Sequence, residues 1–221
     1  MCTLNINFDE ERVNDFRLLI LKWGHQNYAA YPWRHTKNKW HALVAEIMLQ
    51  RTNADQVVPV YESFVEMYPS PEDLLMEIET NIFKSLGLHW REEILHSLAR
   101  EIYKLGYIPE DKKSLLKLPG VGDYISAAFR SFHLNIRDVI IDSNVVRLYG
   151  RFFGFETVPE TRRKKWFKEL AEEITPNTNH KEYNYAILDF TRNICKPSPL
   201  HKECVLSDLC CYAMKNIDSR Y

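Results

Sequence analysis

Tyr124 closes the run Leu118-Pro119-Gly120-Val121-Gly122-Asp123-Tyr124, and eighteen residues beyond it stands Asp142. The run is suited to holding a phosphate. Pro119 ends a short helix reaching from about Lys113 to Leu118, because proline lacks an N–H and clashes with the turn before it. Gly120 and Gly122 relax the steric limits, so that successive N–H groups point outward. A helix over about Ile125 to Phe132 then offers its free first N–H groups and the positive end of its dipole to the same anion. Taken alone, the run equally describes an ordinary helical hairpin with a glycine-rich connection. Asp142 lies between the β-branched run Val139-Ile140-Ile141 and the helical pattern Asn144-Val145-Val146-Arg147-Leu148. Aspartate before a helix most commonly just caps it. A carboxylate fixed there can also stabilise positive charge that develops on a neighbouring group, and one residue can do both.

Two further groups of residues are suited to chemistry. Glu46 is the single charge in the apolar run Ala42 to Leu49. A carboxyl so placed costs desolvation unless paired, and such surroundings favour general acids. The competing reading pairs Glu46 with an arginine such as Arg51. Four of the five cysteines, Cys195, Cys204, Cys210 and Cys211, fall in the last 27 residues. Clustering of this kind points to a metal or cluster rather than to disulfides.

The elements that must position these groups read as helices almost throughout. Phe16, Leu19, Ile20 and Trp23 recur at helical spacing, predicting an amphipathic helix over about 9–27. Trp40, Leu43, Val44, Ile47 and Met48 mark the next. Further helices are predicted at about 54–67, 71–78, 91–105, 111–118, 124–134, 142–153, 161–174 and 181–194. Prolines at junctions and only seven glycines fit short connections. Val139 to Ile141 has no strand partner nearby and reads as an extended connector. The 221 residues, 45% apolar and with 11 Phe, 12 Tyr and 5 Trp, suffice for a sizeable core. No apolar run is long enough to span a membrane and no leader pattern opens the chain, so a soluble intracellular protein, cytoplasmic or at the nucleoid, is expected. A net charge of −1 excludes a broad basic surface, so any phosphate contacts must be local.

Hairpin and aspartate together resemble the helix-hairpin-helix DNA glycosylases of the endonuclease III and adenine-glycosylase superfamily. Their pattern is Leu-Pro-Gly-Val-Gly, a variable residue, a class-defining residue, and an aspartate about eighteen positions on; these are Leu118 to Gly122, Asp123, Tyr124 and Asp142. Pro32-Trp33-Arg34, the run Ala45 to Thr52, Gly87-Leu88 and the cysteine-rich tail follow in the family's order over about residues 30–212. The resemblance implies an all-α, two-lobed fold: a six-helix lobe over 30–136 facing a discontinuous lobe of 1–29 plus 137–221, with the cysteine-rich loop at 195–211. DNA would lie across the cleft, with Tyr124 and Asp142 at its mouth.

The same resemblance assigns roles. Relatives with lyase activity carry lysine at the place of Tyr124, and attack the sugar to form a Schiff base. A phenol cannot, so a monofunctional glycosylase with weak or no lyase action is implied. Tyrosine here, within the wording Tyr31 to Thr36, is similar to thymine-DNA mismatch glycosylases. Its ring would pack on a flipped base. Glu46 matches an acid/base residue of adenine glycosylases, Gln50 the gap-filling glutamine, and Leu88 the apolar wedge. Gly120, Val121 and Gly122 would hold a DNA phosphate. Relatives bind a [4Fe–4S] cluster through C-x6-C-x2-C-x5-C; this chain reads Cys195-x5-His201-x2-Cys204-x5-Cys210, with Cys211 adjacent. The tail is expected to hold a [4Fe–4S] cluster with His201 in a cysteine's place; Cys211 as the fourth ligand, a Cys3His zinc site and no metal are the alternatives. The expected function is removal of thymine or uracil opposite guanine from double-stranded DNA by a monomer. An adenine glycosylase and a catalytically silent DNA-structure binder are the alternatives.

Overall fold

A computed structural model describes residues 9–76 and 89–217. Among them are the helices α1 (Glu10–Asn27), α2 (Lys39–Met48), α3 (Ala54–Met67), α4 (Pro71–Met76), α5 (His89–Leu105), α6 (Lys112–Leu115), α7 (Asp123–Ala128), α8 (Ser143–Phe153), α9 (Lys165–Ile174), α10 (His180–Asn193) and α11 (Cys211–Ile217), and no strand. The connector Val139 to Ile141 carries no helix or strand, as expected. The chain divides into two compact units, residues 30–138 and residues 1–29 with 139–221.

In the first unit the core is built from Trp40, Leu43, Val44 and Ile47 of α2, Val57, Tyr61 and Phe64 of α3, and Leu95, Leu98 and Ala99 of α5. Ile125, Ala128, Phe129 and Phe132, which follow the hairpin, are equally buried. Helix α2 starts where the Asn38 side chain accepts from the N–H groups of Trp40 and His41, which satisfies donors the helix cannot. The second unit packs α1 against α10 and α8 against α10. Phe16 and Trp23, Tyr149 and Phe152, Phe167, Tyr183 and Phe190 form one apolar cluster there.

Three local departures from the sequence expectation have physical causes. The stretch expected as a helix over 161–174 is a 3-10 turn, Pro159–Arg163, followed by α9, because Lys164 between them is extended at φ −70° and ψ 137°. The helix after the hairpin changes pitch: residues Phe129–His133 form a π turn, closed by the Leu134 N–H donating to the Phe129 carbonyl at 3.3 Å. The first hairpin helix is a single turn, capped by Asp111, and continues to Leu118 through i→i+3 bonds.

Asp138 fastens the far end of this hairpin. Only 8% exposed, its carboxylate accepts from Lys112 Nζ at 2.8 Å and Arg130 Nε at 2.9 Å. Removing it takes the carboxylate from two cations, one of them largely buried. Asp138→Ala is therefore expected to lower stability by about 2–3 kcal/mol, read as a reduced urea midpoint.

Candidate active site

The hairpin turn is fixed by packing as much as by backbone. Gly120 has φ +78°, and a Cβ there would lie 2.4 Å from Ile94 Cγ2 and 3.5 Å from Ile47 Cδ1. The position thus excludes any side chain twice over. At Gly122 a Cβ would meet nothing within 4 Å, and its carbonyl accepts the Ser126 N–H at 2.9 Å. The backbone there faces open space, as close approach of a ligand requires. Tyr124 stands on the first turn of α7, half-buried.

Helix α2, packed against α7 and the π turn, carries Glu46 and leads into Gln50. Glu46 is 3% exposed, between Ala45 and Ile47. Its partner is not Arg51, which is exposed with φ +57°, but His133, whose Nε2 lies 3.8 Å from Oε1. Gln50 reaches the hairpin itself, its Nε2 donating to the Gly120 carbonyl at 3.4 Å. The turn after α2 is held by Arg91 of α5, fully buried, whose guanidinium donates to the Gln50 carbonyl and, at 2.8 Å, to the Thr52 hydroxyl. Burial brings the Arg91 pKa down to about 10. Leu88, the expected wedge, lies outside the described residues.

In the other unit Asp142 is the N-cap of α8. One carboxylate oxygen accepts from the N–H groups of Asn144 (2.9 Å) and Val145 (2.7 Å), and the other from the Asn144 side-chain amide at 2.8 Å. Asn144 Oδ1 in turn accepts from Arg147 Nη1 at 2.8 Å, and Arg147 donates to the Cys195 carbonyl at 2.8 and 3.0 Å. The orientation of Asp142 is thereby tied to the start of the cysteine-rich tail. Partial burial pulls the Arg147 pKa down, and the nearby Cys195 and Asp142 oppose that shift. Asn144 and Arg147, missed as functional residues, have one sequence signal, their i,i+3 spacing on the helix that Asp142 opens.

Three thiols of the tail, Cys195, Cys204 and Cys210, feel one another's charge. Burial, with Cys210 and Cys195 adding to it, pushes the Cys204 thiol up to about 11. The other expected ligands are engaged elsewhere. The His201 ring stacks on Tyr212, centroids 5.8 Å apart and 10° from parallel, and Arg151 lies over the same Tyr212 ring. Cys211 Sγ accepts from Arg12 Nη2 at 3.1 Å. Among the described residues no three His, Cys, Asp or Glu side chains are grouped to hold a metal ion. As arranged, Cys195, His201, Cys204 and Cys210 do not form the four-ligand site that the resemblance implies, because no three of them are grouped to hold a metal ion.

Residues 44–176 match the HhH-GPD superfamily of base excision DNA repair proteins. A thymine-DNA glycosylase of Aeropyrum pernix is 36% identical, over 92% of this chain and 96% of that protein. A thymine/uracil-DNA glycosylase of Methanothermobacter thermautotrophicus is 34% identical, over 89% and 92%. Among solved structures, a thermostable thymine-DNA glycosylase superposes with a TM-score of 0.87 at 33% identity, covering 93% of this chain and 98% of that one. The chain belongs to the HhH-GPD superfamily and has its all-α fold. It is a DNA glycosylase, a DNA-binding hydrolase of N-glycosyl bonds. No described helix is long and apolar enough to cross a membrane.

The two hairpin glycines should separate in a mutational test. Gly120→Ala strains a left-handed position and collides with Ile94, an expected loss of about 2–4 kcal/mol. Gly122→Ala meets open space and should leave the melting temperature unchanged, as differential scanning fluorimetry would show.

Proposed function

We propose that the protein is a monofunctional glycosylase that removes thymine or uracil mispaired with guanine in double-stranded DNA, acting as a monomer. The observation that carries this reading is Tyr124 on the first turn after the hairpin, where a lysine would supply a Schiff-base nucleophile. The thymine and thymine/uracil glycosylases similar to it along nearly its whole length support the choice of base. The N–H groups around Gly120, Val121 and Gly122 hold a backbone phosphate. Gln50 and Leu88 fill the space the base leaves, and Tyr124 packs against the extruded base. Asp142, its rotamer fixed by three hydrogen bonds, stabilises the positive charge on the sugar. The C1′–N1 bond breaks with its electron pair leaving on the base, and water adds to C1′ and loses a proton. Glu46 contacts the base or moves a proton to it.

A duplex bearing one labelled G·T pair tests this reading. Strand cleavage is expected after hot alkali and little without it. Asp142→Asn should bind the duplex and release no base. Release of adenine from a mispair, with G·T left intact, would favour an adenine glycosylase. Binding without release across every mismatch would favour a silent binder.

The cluster that the resemblance implies would use Cys195, His201, Cys204 and Cys210, and it requires these side chains to be drawn together, since no three of them are grouped to hold a metal ion. A Cys3His zinc site makes the same demand. The arrangement of these residues supports neither, so the purified protein is expected to be colourless, with a melting temperature that EDTA leaves unchanged. Iron and acid-labile sulfide at cluster stoichiometry, or one tightly held zinc per chain, would overturn that expectation.

A further inference from the structure

Every residue of α2 from Ala42 to Met48 is buried, and all but Glu46 are apolar. Among the described residues, the one nitrogen facing the Glu46 carboxyl at ion-pair distance is His133 Nε2, at 3.8 Å, with both side chains 3–4% exposed. Cations on the elements packed against α2 are directed elsewhere. Arg130 donates to Asp138 and to the Glu110 carbonyl, and Arg91 to Gln50 and Thr52. His133 Nε2 itself is buried without a hydrogen-bond partner.

The backbone accounts for this placement. His133 ends the π turn Phe129–His133. One extra residue in a turn rotates the positions that follow by about 100° relative to an α-helix. The ring thereby lies among Phe129, Phe132 and Glu46. Such a pair is a poor way to hold two helices together. Burying both groups costs desolvation, and two apolar side chains of similar volume would pack as well or better. A gap of 3.8 Å is also longer than a hydrogen bond, as resting active sites often show before substrate tightens them.

We propose that His133 is a positioning residue for Glu46, its imidazole N–H fixing one carboxyl oxygen so that the other faces the extruded base. This rests on Glu46 belonging to the active site. With substrate bound, the imidazole closes on Oε1 and the carboxyl loses its freedom to rotate.

The test is single-turnover base release from a labelled G·T duplex, with DNA affinity measured separately. His133→Phe keeps a ring and removes the N–H. It should slow release roughly ten- to a hundredfold while the dissociation constant stays within about twofold. His133→Gln, which restores a donor, should recover most of the rate. In a Glu46→Gln background His133→Phe should cost little more, the signature of two residues acting as a unit. Wild-type release by His133→Phe, or equal slowing in both backgrounds, would overturn the proposal. If Glu46→Gln alone releases base at the wild-type rate, the placement of Glu46 in the site fails; if it is slow while His133→Phe is fast, only the role of His133 fails. Should His133→Phe not fold, the nitrogen-15 shift of the His133 imidazole in the full chain decides. It must move on Glu46→Gln, and a fixed shift counts against the pair.

Discussion

No side chain fits at position 120, and much of the first unit follows from that exclusion. The hairpin turn lies directly on Ile94 of α5 and Ile47 of α2, so it is a wall of the core rather than a loop beside it. Ile47 follows Glu46 in the chain, and adjacent helical residues are separated by about 100° around the axis. The contact that seats the hairpin therefore also sets the direction of Glu46. Three residues on, the Gln50 amide meets the Gly120 carbonyl, and Arg91 clamps the turn that carries it. The hairpin backbone, the Gln50 side chain and the buried Glu46 carboxyl are thus parts of one packed body. A functional group held on such a body loses little freedom when substrate arrives.

Asp142 is fixed by different means. Its carboxylate is held by hydrogen bonds rather than by packing, through Asn144 and Arg147 to the Cys195 carbonyl. An N-cap contributes about 1 kcal/mol, a modest share of the stability of a unit whose core holds Phe16, Phe152, Phe167 and Phe190. The three bonds on one carboxylate matter more for orientation: they leave one rotamer and aim it. The tail does related work. Arg12 donates to the carbonyls of Phe152 and Leu209 and to Cys211, and Arg151 to those of Lys196 and Pro197. The loop that anchors Arg147 is therefore clasped by arginine forks, which suit several acceptors at once.

The helices were legible wherever burial wrote a 3.6-residue period, as in Trp40, Leu43, Val44 and Ile47 of α2. Asp142 was legible as a cap from its place before Asn144-Val145. What stayed hidden depends on tertiary register. His133 reads as an ordinary residue near a helix end until a π turn rotates it, and no periodicity reports a single inserted residue. Arg91 is fully buried with carbonyl and hydroxyl partners, an environment that no local pattern around an arginine reports. In the tail the resemblance implies ligands, and the eleven-residue separation of His201 and Tyr212 hides the stack between their rings. Helix α11 spans only seven residues, Cys211–Ile217, too short for a clear helical period.

Two buried polar pairs among the described residues show how structure and function divide such groups. Tyr149 and Tyr183 sit in the core of the second unit with their hydroxyls 3.1 Å apart. Burial raises the pKa of both, so both stay neutral, and each hydroxyl finds the other. That pair is closed, and it adds a direction to the packing without exposing any reactive capacity. Glu46 and His133 are buried as deeply in their unit but stand 3.8 Å apart, with the imidazole nitrogen unmatched. An open pair in an apolar run opposes local stability, and a sequence selected for folding alone has no use for it. Where local preference and global fold disagree in this way, a third group that completes the pair accounts for the cost, and the role proposed for Glu46 makes that group the extruded base.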